Sequence, residues 1–328
     1  MHIRYIIIVI LHIYLRKKNI KIINYNNKSK LMKHLIETTD SSSLGFAEYD
    51  RLILDSTKNE IVYRGGVNTN GHSYVDLGLP SGTLWATMNV GATTETDDGD
   101  YFMWGETTPN TVYDWAHYKH CNGSNTTMTK YCTDSSYGTV DNKTTLDLED
   151  DAARANMGGD WRMPTATEYQ TLYNETLWVW CPGGNVGIKK TDESGNESIE
   201  YIKYPTGYFV FKTESDKEQT GTFDKDEKGN LTAYTATSHT VYYPGAHEVK
   251  EGNITSIADG DIHIFFPASG NANDTGVLNR GSRGSYWSSS LYPSFSNNGL
   301  YLNFLSGSIY PQDNLNRWHG FCVRGVCE

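Results

Sequence analysis

The chain has 328 residues, enough for one large domain or two ordinary ones with a substantial core. Apolar residues make up 38% and glycine adds 31 positions, which excludes a wholly disordered or collagen-like chain. With 28 Lys and Arg against 39 Asp and Glu, the net charge is −11 and the pI is near 5.4; this is the opposite of the basic face that phosphate contacts need, so no nucleic-acid partner is expected.

Residues 5–15 form an apolar run about half as long as a membrane-spanning helix needs. Arg4 before it resembles the start of a secretory signal, but Arg16-Lys17-Lys18-Asn19 follows with no small-residue cleavage site. The reading that fits best takes residues 1–31, rich in Ile, Lys, Asn and Tyr, as an extension outside the functional protein, with Met32 as the start. No membrane span is expected. Residues 32–70 read as an attachment segment containing a hairpin, in which Leu52 and Leu54 alternate, Asp55 to Asn59 turn and Ile61-Val62-Tyr63 return. A domain over 71–328 follows.

Within that domain, Ser73 to Leu77 and Leu84 to Ala86 read as strands either side of a Gly-Leu-Pro-Ser-Gly turn. A short helix is predicted over about 146–156, with Asp147, Glu149, Asp150 and Asp151 at the favourable end of its dipole. A second starts at Thr165, where Thr165-Ala166-Thr167-Glu168 is a capping box and Tyr169, Leu172 and Tyr173 share a face. Residues 184–262 read as paired hairpins: one around Pro205-Thr206-Gly207, the other with a turn at Asp226 to Asn230. From Ile264 to the end, short strands are separated by Gly, Ser and Asn.

Catalytic signatures are missing: no GxSxG, HExxH, Walker loop or GxGxxG occurs. His117, His120 and Cys121 are close enough in sequence for metal ligands, though polar rings in a loop are the simpler reading. The acidic set Asp147 to Asp151 has the oxygens calcium prefers, but charge at a helix start explains it as well. Among the five cysteines, Cys121 with Cys132 and Cys322 with Cys327 are spaced to close small loops, in no zinc pattern. No metal and no cofactor is expected. The 23 Tyr and 8 Trp outnumber the 10 Phe about three to one, a bias toward rings with a polar handle that suits binding surfaces and half-exposed strands alike.

Six ordered blocks carry a family resemblance: His72 to Ala86 (HSYVDLGLPSGTLWA), Gly99 to Glu106 (GDYFMWGE), Gly159 to Thr165 (GDWRMPT), Phe266 to Gly270 (FPASG), Tyr286 to Ser290 (YWSSS) and Gly320 to Arg324 (GFCVR). Together they resemble the Fibrobacter succinogenes major paralogous domain family, common in gut Bacteroidetes. The resemblance implies an α+β, C-type lectin-like fold with two short helices, small twisted antiparallel sheets and an inserted β-hairpin region over 184–262. Trp85, Trp104, Trp161 and Trp287 are then core residues, and Arg162 and Arg324 satisfy buried loop carbonyls. The calcium-dependent sugar motifs of animal lectins are absent. The related formylglycine-generating oxidases make a cysteine-pair oxidase, with Cys322 and Cys327 nearby, the alternative function.

Residues 286–324 are also similar to the variable segment of target proteins of diversity-generating retroelements. That likeness implies a non-enzymatic, receptor-binding or adhesin-like protein at a cell surface or on a phage virion, capturing a protein or glycan ligand on a cell or particle surface. The binding residues would be Tyr301, Leu305, Tyr310, Gln312, Asp313, Leu315, Trp318 and His319. Alternation in Leu300-Tyr301-Leu302-Asn303-Phe304 predicts Leu300, Leu302 and Phe304 in the core, with Tyr301 and Asn303 facing outward.

Overall fold

The computed structural model describes residues 52–55, 60–63, 66–67, 70–191, 197–212, 220–225, 231–236, 257–258, 263–274 and 276–328. The readings for residues 1–51, including the apolar run and the start at Met32, and the turns at 56–59 and 226–230 lie outside them. The chain divides into two compact units, Met1–Tyr63 and Arg64–Glu328. In the first, β1 (Leu52–Asp55) and β2 (Glu60–Tyr63) form an antiparallel hairpin with Leu52 opposite Tyr63 and Asp55 opposite Glu60.

The second unit begins with β3 (Gly66–Val67), β4 (Ser73–Val75) and β5 (Leu84–Asn89). After an irregular stretch come a 3₁₀ turn at Leu148–Asp150 and two helices, α1 (Ala152–Met157) and α2 (Ala166–Glu175). The remaining strands are β6 (Thr176–Thr191), β7 (Glu197–Lys212), β8 (Thr220–Lys225), β9 (Leu231–Ala236), β10 (Ile257–Ala258), β11 (His263–Pro267), β12 (Asn271–Asn273), β13 (Gly276–Leu278), β14 (Arg283–Leu291), β15 (Asn298–Leu305), β16 (Ser308–Asn316) and β17 (Arg324–Cys327). They assemble into sheets ordered β17-β5-β4-β3, β11-β7-β6-β8-β9 with β10 beside β6, β12-β13 and β14-β15-β16.

The α+β, C-type lectin-like class expected from the sequence is corrected here. Among the described residues the structure is mostly β, with two short helices and sheets in which most strand pairs are antiparallel. Much of the difference lies in residues 176–212. Pro205-Thr206-Gly207 is not a turn; it lies inside β7, which pairs with β6 from Thr176↔Lys212 to Thr191↔Glu197. Aromatic and β-branched residues drive this choice, because Tyr208, Phe209, Val210 and Phe211 pack fully buried against β11. Residues 204–211 of the segment read as an insertion therefore supply core. The predicted first helix is shorter than 146–156, with Asp151 as its N-cap accepting from the Arg154 N–H at 2.9 Å. The capping box of α2 forms as read: Thr165 Oγ1 accepts from Glu168 N at 3.2 Å and Glu168 Oε2 accepts from Thr165 N at 2.7 Å.

The core gathers side chains from every large sheet, including Trp85, Tyr169, Trp178, Phe266, Tyr286, Leu302 and Phe304. Arg324 lies fully buried among them. Its Nε donates to Asn89 Oδ1 at 2.8 Å, and its terminal nitrogens donate to the carbonyls of Ala86, Thr87 and Phe265 at 2.7–2.9 Å. The guanidinium also lies 4.6 Å from the Phe266 ring centre. Arg162 departs from its expected role: it spends its terminal nitrogens mainly on Glu168, at 2.8 Å twice, and only weakly on the Met163 carbonyl at 3.4 Å.

Arg324→Ala is expected to cost about 3 kcal/mol or more, since each buried acceptor left unpaired costs about 1–3 kcal/mol. Urea unfolding measures it, and a loss below about 1 kcal/mol would contradict the role assigned to this side chain.

Candidate functional site

The C-terminal sheet is built by β14, β15 and β16, with β15 central. Residues opposite one another across a ladder share a face. Tyr286, Leu302, Phe304 and Ile309 occupy one face and join the main core. The other face carries Trp287, Tyr301 and Asp313 in one row, Ser285, Asn303 and Tyr310 in the next, and Arg283, Leu305 and Ser308 in the third. Leu315 lies on this face opposite Gly299, against which Trp104 packs so closely that a Cβ there would sit 2.7 Å from the ring.

Of the residues expected to bind, Tyr301, Leu305, Tyr310, Asp313 and Leu315 thus share one face. Tyr310 is 51% exposed and Gln312 is exposed, while Leu305, Asp313, Leu315, Trp318 and His319 are partly buried. Tyr301 is a correction: it is buried, not outward. The chain after β16 folds back over this part of the sheet, bringing Phe321 to 4.6 Å from Tyr301 and 4.1 Å from Trp287 between ring centres. Asn303 is buried too, and Leu300 is only partly so. Alternation told the two faces apart; it could not tell that both are covered. Trp318 is likewise no free platform, being packed against the cluster of Met103, Tyr113 and Tyr118 and stacked on His319 at 3.7 Å.

A register shift between Tyr301 and Asn303 gives β16 an extra residue, so Pro311-Gln312 bulges. At this bulge a groove of about 390 Å³ opens, lined by Tyr310 to Asp313 and by Gln170 of α2. Asp313 is held firmly there. Its Oδ2 accepts from the Tyr301 hydroxyl at 3.1 Å and Asn303 Nδ2 at 2.8 Å, and its Oδ1 accepts from Asn314 N at 2.8 Å. Burial and the Asp313 charge together raise the Tyr301 pKa, which keeps the phenol a donor. Gln312 Nε2 donates to the Ala166 carbonyl at 3.3 Å, and Gln170 Nε2 to Asn174 Oδ1 at 2.9 Å. Sequence reading missed Gln170 and Asn303. Nothing local in the chain signals that a helix 140 positions upstream borders this strand.

A larger cleft of about 700 Å³ lies beside β6 and β7, lined in part by Asp98, Lys203, Tyr204 and Arg280. Arg280 forms an ion pair with Asp98 there, so much of its charge is internally spent.

Other sequence candidates do not converge into sites. His117 is exposed and bonded to Asp114, His120 is buried on the Gly105 carbonyl at 2.8 Å, and the Cys121 thiol donates to the Trp115 carbonyl. Asp147, Glu149 and Asp150 do approach one another, but the Lys130 ammonium lies among them at 2.7, 2.9 and 2.6 Å. Burial pushes the Asp150 carboxyl up, yet hydrogen bonds from Lys119, Lys130 and Tyr131 outweigh it and hold the pKa well below the usual range. Cys121, Cys132, Cys322 and Cys327 are buried with free thiols, so neither candidate loop closure forms. Burial pushes Cys322 up to about 12 and Cys327 up to about 11, against the thiolate that cysteine chemistry uses.

Among the described residues, no helix is long and apolar enough to cross a membrane. Compared with protein-family models, with curated proteins and with solved structures, the chain matches none of them.

His319 supplies a pH test of this region. Burial pushes its pKa down to about 4, partly offset by Asp274, and its Nδ1 is buried without a partner. The unfolded imidazole, with a pKa near 6.5, takes up a proton before the folded one does. Stability is therefore complete above about pH 6.5 and is lost as pH falls toward 4, by roughly 1–3 kcal/mol. Thermal unfolding across this range should show His319→Gln with a shallower fall than the parent chain; an unchanged slope would assign the loss to other groups.

Proposed function

We propose that this chain is a non-enzymatic ligand-binding protein, receptor-binding or adhesin-like, that captures a protein or glycan on a cell or particle surface through its C-terminal sheet. The resemblance of its ordered blocks to the Fibrobacter succinogenes major paralogous domain family supports the reading. So does the likeness of residues 286–324 to the variable segment of retroelement targets. Such a protein works at a cell surface or on a phage virion.

The observation that carries the proposal is Tyr310, a large aromatic left 51% exposed on a sheet whose neighbouring rings are buried, at the mouth of a groove. Folding stability gains little from such a ring, whereas binding gains much, since aromatic anchors dominate interface energies. Leu305 and Asp313 in the adjoining rows supply a partly buried surround.

Labelled chain titrated onto intact bacterial cells and onto arrayed glycans tests this reading. Tyr310→Ala is expected to weaken capture by about 2 kcal/mol, about thirty-fold in Kd, with little change in Tm. Capture equal to that of the parent chain, or none by the parent on either surface, would overturn it. Trp287→Ala serves as the contrast. This fully buried ring donates through Nε1 to the Phe102 carbonyl at 2.8 Å, and its loss is expected to cost about 3–5 kcal/mol of stability in thermal unfolding.

A further inference from the structure

The Asp313 carboxylate has no cationic partner among the described residues and lines the same groove as the exposed Tyr310, and from this we infer that the groove is a socket for an arginine side chain of a protein partner. The inference rests on the binding role proposed for this sheet and narrows it to one chemistry.

Gln312 donates one of its two amide N–H groups to the Ala166 carbonyl, so its Oε1 and its second N–H are open to a ligand. Gln170 donates one N–H to Asn174 and likewise keeps a carbonyl and one N–H. Asp313 accepts three hydrogen bonds, two on Oδ2 and one on Oδ1. A carboxylate offers about four lone-pair sites, so roughly one remains. The groove therefore holds acceptors for several N–H groups, and the two amides and the Tyr310 hydroxyl keep donors beside them.

Charge points the same way. Asp313 is the only ionised side chain lining the groove, and among the described residues no cation pairs with it. Its three donors are a phenol, an amide and a backbone N–H. They fix the carboxylate in place and leave its charge uncompensated. Arg283, the cation on the same sheet face, stands two rows away on the far strand, opposite Leu305. The whole chain carries −11, which draws a cationic partner toward it.

A guanidinium meets each of these features. It carries five N–H donors and no acceptor, it stays charged, and its plane stacks on an exposed tyrosine ring. With one lone pair left on Asp313, the carboxylate supplies one hydrogen bond and the charge, while the glutamine carbonyls take further N–H groups. A neutral glycan brings no charge to pair with Asp313.

The test is an NMR titration of the isotope-labelled full chain, following the amides of Gln170, Tyr310, Gln312 and Asp313. N-acetyl-arginine methylamide, its citrulline counterpart and methyl glucoside are the probes. Citrulline keeps the shape of arginine and lacks the charge. The arginine compound is expected to give saturating shifts at these amides and to bind about ten-fold or more tighter than the other two. Asp313→Asn should bring arginine and citrulline close to parity. Because Asp313 also organises Tyr301 and Asn303, Gln312→Lys provides a second variant at an exposed position, expected to abolish arginine binding with Tm unchanged. Equal binding of citrulline, a preference for methyl glucoside, arginine shifts that map elsewhere, or arginine binding that survives Gln312→Lys would each overturn the inference. If Tyr310→Ala still loses capture on cells while arginine shows no preference, the socket is wrong and the binding face stands. If Tyr310→Ala leaves capture intact, the broader reading fails first.

Discussion

The buried guanidinium of Arg324 is the contact on which the layout of the second unit depends. An ion taken out of water is costly unless its donors are matched, and here the matching groups come from two separate places in the chain. The carbonyls of Ala86 and Thr87 belong to β5, that of Phe265 to β11, and the amide oxygen of Asn89 ends β5. One side chain on β17 thereby ties the β17-β5-β4-β3 sheet to the sheet carrying β11 and β7. Among the described residues, none of its hydrogen bonds goes to a carboxylate. The charge is distributed over carbonyl dipoles and the Phe266 ring, so each of these groups must stay in position.

Arg317 does the same for the irregular stretch between β5 and α1. Fully buried, it donates to the carbonyls of Lys130 and Tyr131 and lies over the rings of Trp104 and Tyr118 at 5.3 Å each. It sits directly after β16, so it fixes the end of the strand that carries the proposed binding residues. Trp104 and Trp287 add to this bracing, their indole N–H groups reaching the carbonyls of Ser288 and Phe102 at 2.8 Å. A loop-rich region thus gives a rigid backing to the C-terminal sheet. Rigidity there lowers the ordering cost of binding.

This backing also explains how the aromatic content divides. Most of the rings in residues 286–324 face inward, with Tyr286, Trp287, Tyr301, Phe304 and Phe321 all buried. Tyr310 escapes because β16 is an outer strand of its sheet and bulges at Pro311-Gln312. The same bulge opens the groove beside α2, so the exposed ring and the pocket share one local cause.

From the chain alone, several local features were legible because local chemistry decides them: the capping box at Thr165 and Glu168, the hairpin from Leu52 to Tyr63, and the inward Leu302 and Phe304. The net charge and the missing catalytic motifs also belong to the sequence. Tertiary structure decided the rest. It made the fold mostly β by letting Tyr208 to Phe211 pack as strand against β11, where Pro205-Thr206-Gly207 read locally as a turn. It buried Tyr301 and Asn303 by laying Phe321 over a face that alternation alone left open, and it brought Gln170 to Gln312 across more than a hundred residues of chain. The physical reason is common to all three. Periodicity and capping are set by neighbours a few positions away, whereas burial and the unspent lone pairs of a groove depend on which distant surface arrives to cover them.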